Sequence, residues 1–117
     1  MTQVKIYHNP RCSKSRTTLA LLRDKGIEPA VVEYLKTPPD VHELEHLLDL
    51  LGKPPRELMR RGETAYQEQG LDDPSLGRDA LLTAMAANPV LIERPIVVTG
   101  RGARIGRPPE TVLEILE

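Results

Sequence analysis

Apolar and polar positions alternate over residues 3–7, QVKIY, the pattern of a short strand with one buried face. A polar stretch, HNPRCSKS, follows at 8–15. From about Lys14 to Lys25 the apolar positions, Leu19, Ala20, Leu21 and Leu22, take helical spacing, and Gly26 is placed to end the helix. Residues 30–34, AVVEY, predict a second strand. Two strands joined through a helix in this way lie parallel.

The middle of the chain reads as helices punctuated by proline. Asp40 and Glu43 form a capping-box pattern ahead of LEHLLDLL, whose apolar stripe is Leu44, Leu47, Leu48 and Leu51, with Gly52 as the stop. Pro54 and Pro55 suit the first turn of a helix running through RELMRR. Shorter helices are expected near Ala65–Gln69 and over Asp79–Ala87, with Pro89 closing that segment. In the last third, PIVVT at 95–99 is a buried-strand pattern, Gly100 to Gly102 a tight turn, and ARI at 103–105 the returning strand. Pro108 and Pro109 then start a C-terminal helix with Val112, Leu113, Ile115 and Leu116 as its apolar positions. The order βαβ, helical insert, ββα fits an α/β sandwich of thioredoxin type, with a four-stranded mixed sheet, as one domain over residues 1–117.

Composition narrows the function classes. A net charge of −1 and the absence of Phe and Trp argue against a nucleic-acid binder that steers by charge or stacks bases on aromatic rings. No apolar run approaches the roughly 20 residues of a membrane-spanning helix, and the N-terminus lacks the apolar core of a signal peptide. The expectation is a cytoplasmic protein with no membrane partner, monomeric by default. With one Cys in the chain, an internal disulfide framework is excluded.

That one Cys carries the candidate chemistry. Cys12 stands between a strand end and a helix start, where unpaired backbone N–H groups and the helix dipole favour a thiolate. Arg11, Lys14 and Arg16 lie within four residues, His8 precedes it by four, and Ser13 and Ser15 offer hydroxyls to the sulfur. A lone Cys is more often a small buried hydrophobe, but this one is flanked by Arg and Ser. Having no second thiol, it must draw on thiols from outside in any redox cycle. Position 15 is Ser15 and position 9 is Asn9, so no C-x-x-C exists, and Thr18 stands where a tyrosine-phosphatase loop needs Arg.

The segments YHNPRCSKSR (7–16), ERPIVVT (93–99) and ARIGRPPE (103–110) together resemble the glutaredoxin-linked arsenate reductase family, ArsC-like proteins of thioredoxin fold. The likeness runs from the first strand to the last helix, and the HNPRCSKSR form resembles a chromosomal subgroup. It implies that Cys12 is the nucleophile, that His8 influences its ionisation, and that Ser15 lies close to the sulfur. It further implies that Arg60, Arg94 and Arg107 bind the oxyanion, that Asn9 belongs to the loop's framework, and that Pro95 is a cis-proline facing the thiol. The resemblance implies too that no cofactor is bound and that glutathione serves as co-substrate and glutaredoxin as protein partner in reducing arsenate to arsenite. Guanidinium groups suit such a substrate, since they bind tetrahedral anions bidentately and stay charged.

Two alternatives stay open. A related thiol oxidoreductase would use Cys12 on another oxidised or glutathionylated substrate. A non-enzymatic regulator of the same fold would bind RNA polymerase, although that class carries a C-x-x-C switch and lacks the HNP loop. Residues 42–46, HELEH, satisfy the zinc-protease pattern H-E-x-x-H. A catalytic zinc needs a third protein ligand, and Leu44, Leu47 and Leu48 make the segment an ordinary amphipathic helix, so no metal is expected. Gly100-Arg101-Gly102 lacks the spacing and following helix of a phosphate loop.

Overall fold

The computed structural model describes residues 3–116, which group into two compact units: the chain up to Thr37 with the chain from Arg94 onward, and Pro38–Glu93. The first unit holds the sheet. Its strands are β1 (Lys5–His8), β2 (Ala30–Glu33), β3 (Ile96–Thr99) and β4 (Gly102–Ile105), in the order β2-β1-β3-β4. β1 pairs in parallel with β2 and antiparallel with β3, and β3 pairs antiparallel with β4. This is the mixed thioredoxin-type sheet expected from the βαβ and ββα ends.

Helix α1 (Ser13–Asp24) makes the crossover between β1 and β2. It ends as the sequence predicts. Gly26 takes φ 80°, its N–H donates to the Arg23 carbonyl, and the Ile27 N–H returns to Leu22. These are the paired bonds of a Schellman motif, which a residue without Cβ accommodates. The apolar face of α1 meets the sheet in a core of Ile6, Leu22, Val97, Val112 and Ile115.

The C-terminal helix departs from expectation. Pro109–Ile115 is a 3-10 helix, closed by bonds such as Thr111 N–H to the Pro108 carbonyl. Its buried residues are Pro109, Val112 and Ile115, spaced by three, which is the 3-10 period. Burying that row sets the helix type.

The second unit contains α2 (Val41–Leu51), α3 (Pro55–Leu58), α4 (Thr64–Glu68) and α5 (Arg78–Ala87). Asp40 caps α2 by accepting the Glu43 N–H at 2.8 Å, and Gly52 ends it in the left-handed conformation. Helix α3 stops at Leu58 instead of running through Arg61. The reason is backbone pairing: Arg60 N–H donates to the Leu91 carbonyl and Glu93 N–H to the Leu58 carbonyl, both at 2.7 Å. Those cross-strand bonds, around the Met59–Ile92 bridge, replace the helical ones. Among the described residues no helix is long and apolar enough to cross a membrane.

Candidate active site

The loop between β1 and α1 is built from its own hydrogen bonds. Cys12 N–H donates to the Asn9 carbonyl at 3.0 Å, and Arg11 N–H donates to Asn9 Oδ1 at the same distance. Pro10, at the second position of this turn, supplies the fixed φ that the turn asks for. Asn9 thus holds the loop through both backbone and side chain. Arg16 braces it from outside, its guanidinium donating to the Pro10 carbonyl at 3.0 Å.

Cys12 is the N-cap of α1, in extended conformation at φ −96° and ψ 124°, and is partly exposed. Partial burial pushes its thiol up, yet the net displacement is downward. The backbone N–H of Ser15, the positive charge of Arg94, the N–H of Lys14 and a hydrogen bond from the Arg94 side chain together hold it below the ordinary thiol range. This is helix-terminus activation combined with one guanidinium.

The cation acting on the sulfur is therefore Arg94, brought from the far end of the chain. Lys14 contributes through its backbone, and Arg16 turns to the Pro10 carbonyl. None of the charges adjacent in sequence is among the main influences on the thiol.

Ser15 is wholly buried, and its hydroxyl serves the loop. Its Oγ accepts the Asn9 N–H at 3.0 Å and lies 2.6 Å from His8 Nδ1. The Ser15 hydroxyl and Nδ1 of a neutral His8 ring share one hydrogen bond, whose direction is set by the ring tautomer. Neutrality follows from the surroundings. Burial is the largest influence and lowers the His8 pKa; Glu33 opposes it, and Arg23 and Arg16 reinforce it. His8 thus reaches the thiol loop through Ser15.

Arg94 precedes Pro95 across a cis peptide, and a second cis peptide joins Arg107 to Pro108. The Arg107 guanidinium donates to the Arg94 carbonyl at 3.3 Å, so two of the three arginines singled out in the sequence meet, and one of them, Arg94, acts on Cys12. Arg60 belongs to the second unit, where it pairs with Glu63 at 2.8 Å. In that unit His42, His46, Asp49 and Arg78 line an open groove, with Arg78 held by Glu45 at 2.7 Å.

Residues 7–115 match the ArsC family. This chain belongs to that family. YfgD of Escherichia coli K12, described as uncharacterized, is 61% identical to it over 115 residues, 97% of either chain. The arsenate reductase of Neisseria meningitidis serogroup A is 50% identical over 117 residues, covering 99% of this chain and all of its own. Among solved structures, the arsenate reductase from Vibrio cholerae matches with a TM-score of 0.96 at 57% identity over 98% of each chain. The thioredoxin-like architecture is thus that of an ArsC protein.

Proposed function

We propose that this ArsC protein reduces arsenate to arsenite in the cytoplasm, with Cys12 as nucleophile and with glutathione and glutaredoxin supplying the electrons. The observation that carries the reading is the sulfur's setting. A thiol held below its ordinary range by helix N–H groups stands beside the Arg94 guanidinium, with Arg107 tied to the Arg94 carbonyl. A thiolate and guanidinium groups in one place suit an anionic tetrahedral oxyanion that must be attacked at its central atom. Relatives named as arsenate reductases at about half identity support the choice of arsenic.

In this reading, Cys12 Sγ displaces water from arsenic, and a glutathione thiol displaces a second hydroxyl. A glutaredoxin thiol then takes the glutathionyl sulfur as a disulfide. The electron pair of the broken sulfur–arsenic bond stays on arsenic, which becomes trivalent. Hydrolysis of the remaining bond to Cys12 releases arsenite and restores the thiol. No second Cys in the chain is needed, in keeping with the one it has. The family resemblance names Arg60 as a further oxyanion ligand; within its own unit it pairs with Glu63 at 2.8 Å, both side chains partly buried.

The test is arsenate-dependent NADPH oxidation coupled through glutathione reductase, with arsenate, glutathione and glutaredoxin omitted in turn. Turnover that requires all three supports the reading. Turnover that persists without glutaredoxin would refute its partner. Absence of turnover with Cys12 still rapidly alkylated would replace arsenate with another oxidised or glutathionylated substrate.

A further inference from the structure

Gly106 links β4 to the C-terminal 3-10 helix and is buried. Its φ lies outside the left-handed region that Gly26, Gly52, Gly70 and Gly102 occupy, so the backbone conformation does not call for glycine. Space does. A Cβ at this position would stand 2.7 Å from Thr18 Oγ1, 2.9 Å from Pro95 Cγ and 3.2 Å from Thr18 Cγ2.

Neither neighbour yields easily. Thr18 is fully buried and β-branched, with few rotamers in a helix, and its Oγ1 donates to the Lys14 carbonyl at 2.8 Å. The Pro95 ring is fixed in the backbone, and its carbonyl accepts the Gly106 N–H at 2.9 Å. A methyl group at 106 therefore moves backbone on one side or the other.

Both sides lead to the sulfur. Thr18 is bonded to Lys14, in the first turn whose N–H groups face Cys12, and Pro95 directly follows Arg94, whose guanidinium faces the same atom. We propose that Gly106 is a positioning residue for Cys12: its missing side chain lets Thr18 close on Pro95 and so sets how near the Arg94 guanidinium comes to the sulfur. The proposal rests on the arsenate-reductase reading for its purpose alone, since the ionisation of Cys12 is measured without arsenate.

The test is the pH dependence of iodoacetamide alkylation. Cys12 is the one thiol in the chain, so the reaction reports on it directly. Full-length wild type, Gly106→Ala, Arg94→Ala and the double variant are compared. Gly106→Ala moves the midpoint to higher pH and slows alkylation below it roughly threefold, while the rate at high pH does not fall. On the Arg94→Ala background the same substitution changes nothing further.

A midpoint in Gly106→Ala that is unchanged or lowered overturns the proposal. So does a rise of equal size in both backgrounds, which would make the role structural. If Gly106→Ala does not fold, Thr18→Ala is added to remove the atoms at 2.7 and 3.2 Å, and the titration is read against Thr18→Ala alone. The Pro95 contact remains, so the midpoint stays raised. A midpoint equal to that of Thr18→Ala, or a chain that still fails to fold, overturns the proposal. A chain that passes and yet does not reduce arsenate would refute the functional reading and leave this one standing.

Discussion

The Ser15 hydroxyl lies 2.6 Å from Nδ1 of His8, joining the helix that Cys12 caps to the end of the strand before it. The same oxygen accepts the Asn9 N–H. One buried atom thus fastens strand, turn and helix around the thiol, and the loop is set before any substrate arrives.

Removing that atom leaves two polar groups unmatched in the interior. Ser15→Ala is expected to cost about 1–3 kcal/mol of stability, the range for orphaning buried hydrogen-bonding groups. Urea unfolding of the variant against wild type measures it. A loss within error of zero would contradict the role given to this hydroxyl.

The buried His8 ring makes stability depend on pH. Burial first, with Arg23 and Arg16 adding and Glu33 opposing, holds its folded pKa below the ordinary 6.5. The unfolded chain takes up this proton first as pH falls, so the contribution is complete above about 6.5 and is lost as pH descends toward the folded value. Unfolding free energies at about pH 7.5 and about pH 5.5 are expected to differ more for wild type than for His8→Gln. Equal differences would show that His8 is not the titrating group.

The proposed reading gives Arg94 two separable tasks. Its charge lowers the thiol, and its planar fork suits an oxyanion. Arg94→Ala is expected to slow alkylation near neutral pH and to cut kcat/KM for arsenate roughly ten- to a hundredfold, the loss of one charge-assisted hydrogen bond. Arg94→Lys is expected to recover most of the alkylation rate and little of the arsenate turnover. Recovery of both would show that charge alone suffices.

Much of this was legible in the sequence, and the misses have physical causes. The Asp40 cap, Gly26 and Gly52 mark element ends by local chemistry, and the structure keeps them, whereas the strand read at QVKIY runs over Lys5–His8 and buries Ile6, Tyr7 and His8 in a row instead of alternating. The early end of α3 at Leu58 depends on partners distant in sequence, the Leu91 carbonyl and the Glu93 amide, and the 3-10 form of Pro109–Ile115 on the tertiary partners that bury Pro109, Val112 and Ile115. Those partners leave no local mark.

The site divides in the same way. Cys12 at a strand-to-helix junction was readable, and the family resemblance pointed to Arg94. Proximity along the chain pointed to Arg11, Lys14 and Arg16, whereas Arg94 is the cation acting on the sulfur and Arg16 is engaged with the Pro10 carbonyl. The backbone N–H groups of Lys14 and Ser15 were implied by the N-cap position itself, whereas the closeness of Gly106 to Thr18 and Pro95 was not readable at all.

The most direct test of the central claim compares wild type with Cys12→Ser in the arsenate-dependent coupled assay, with both chains shown to be folded by circular dichroism. Loss of turnover in the folded Ser variant, with robust turnover in wild type, is the predicted result. Turnover in Cys12→Ser comparable to wild type would contradict the assignment of Cys12 as the nucleophile.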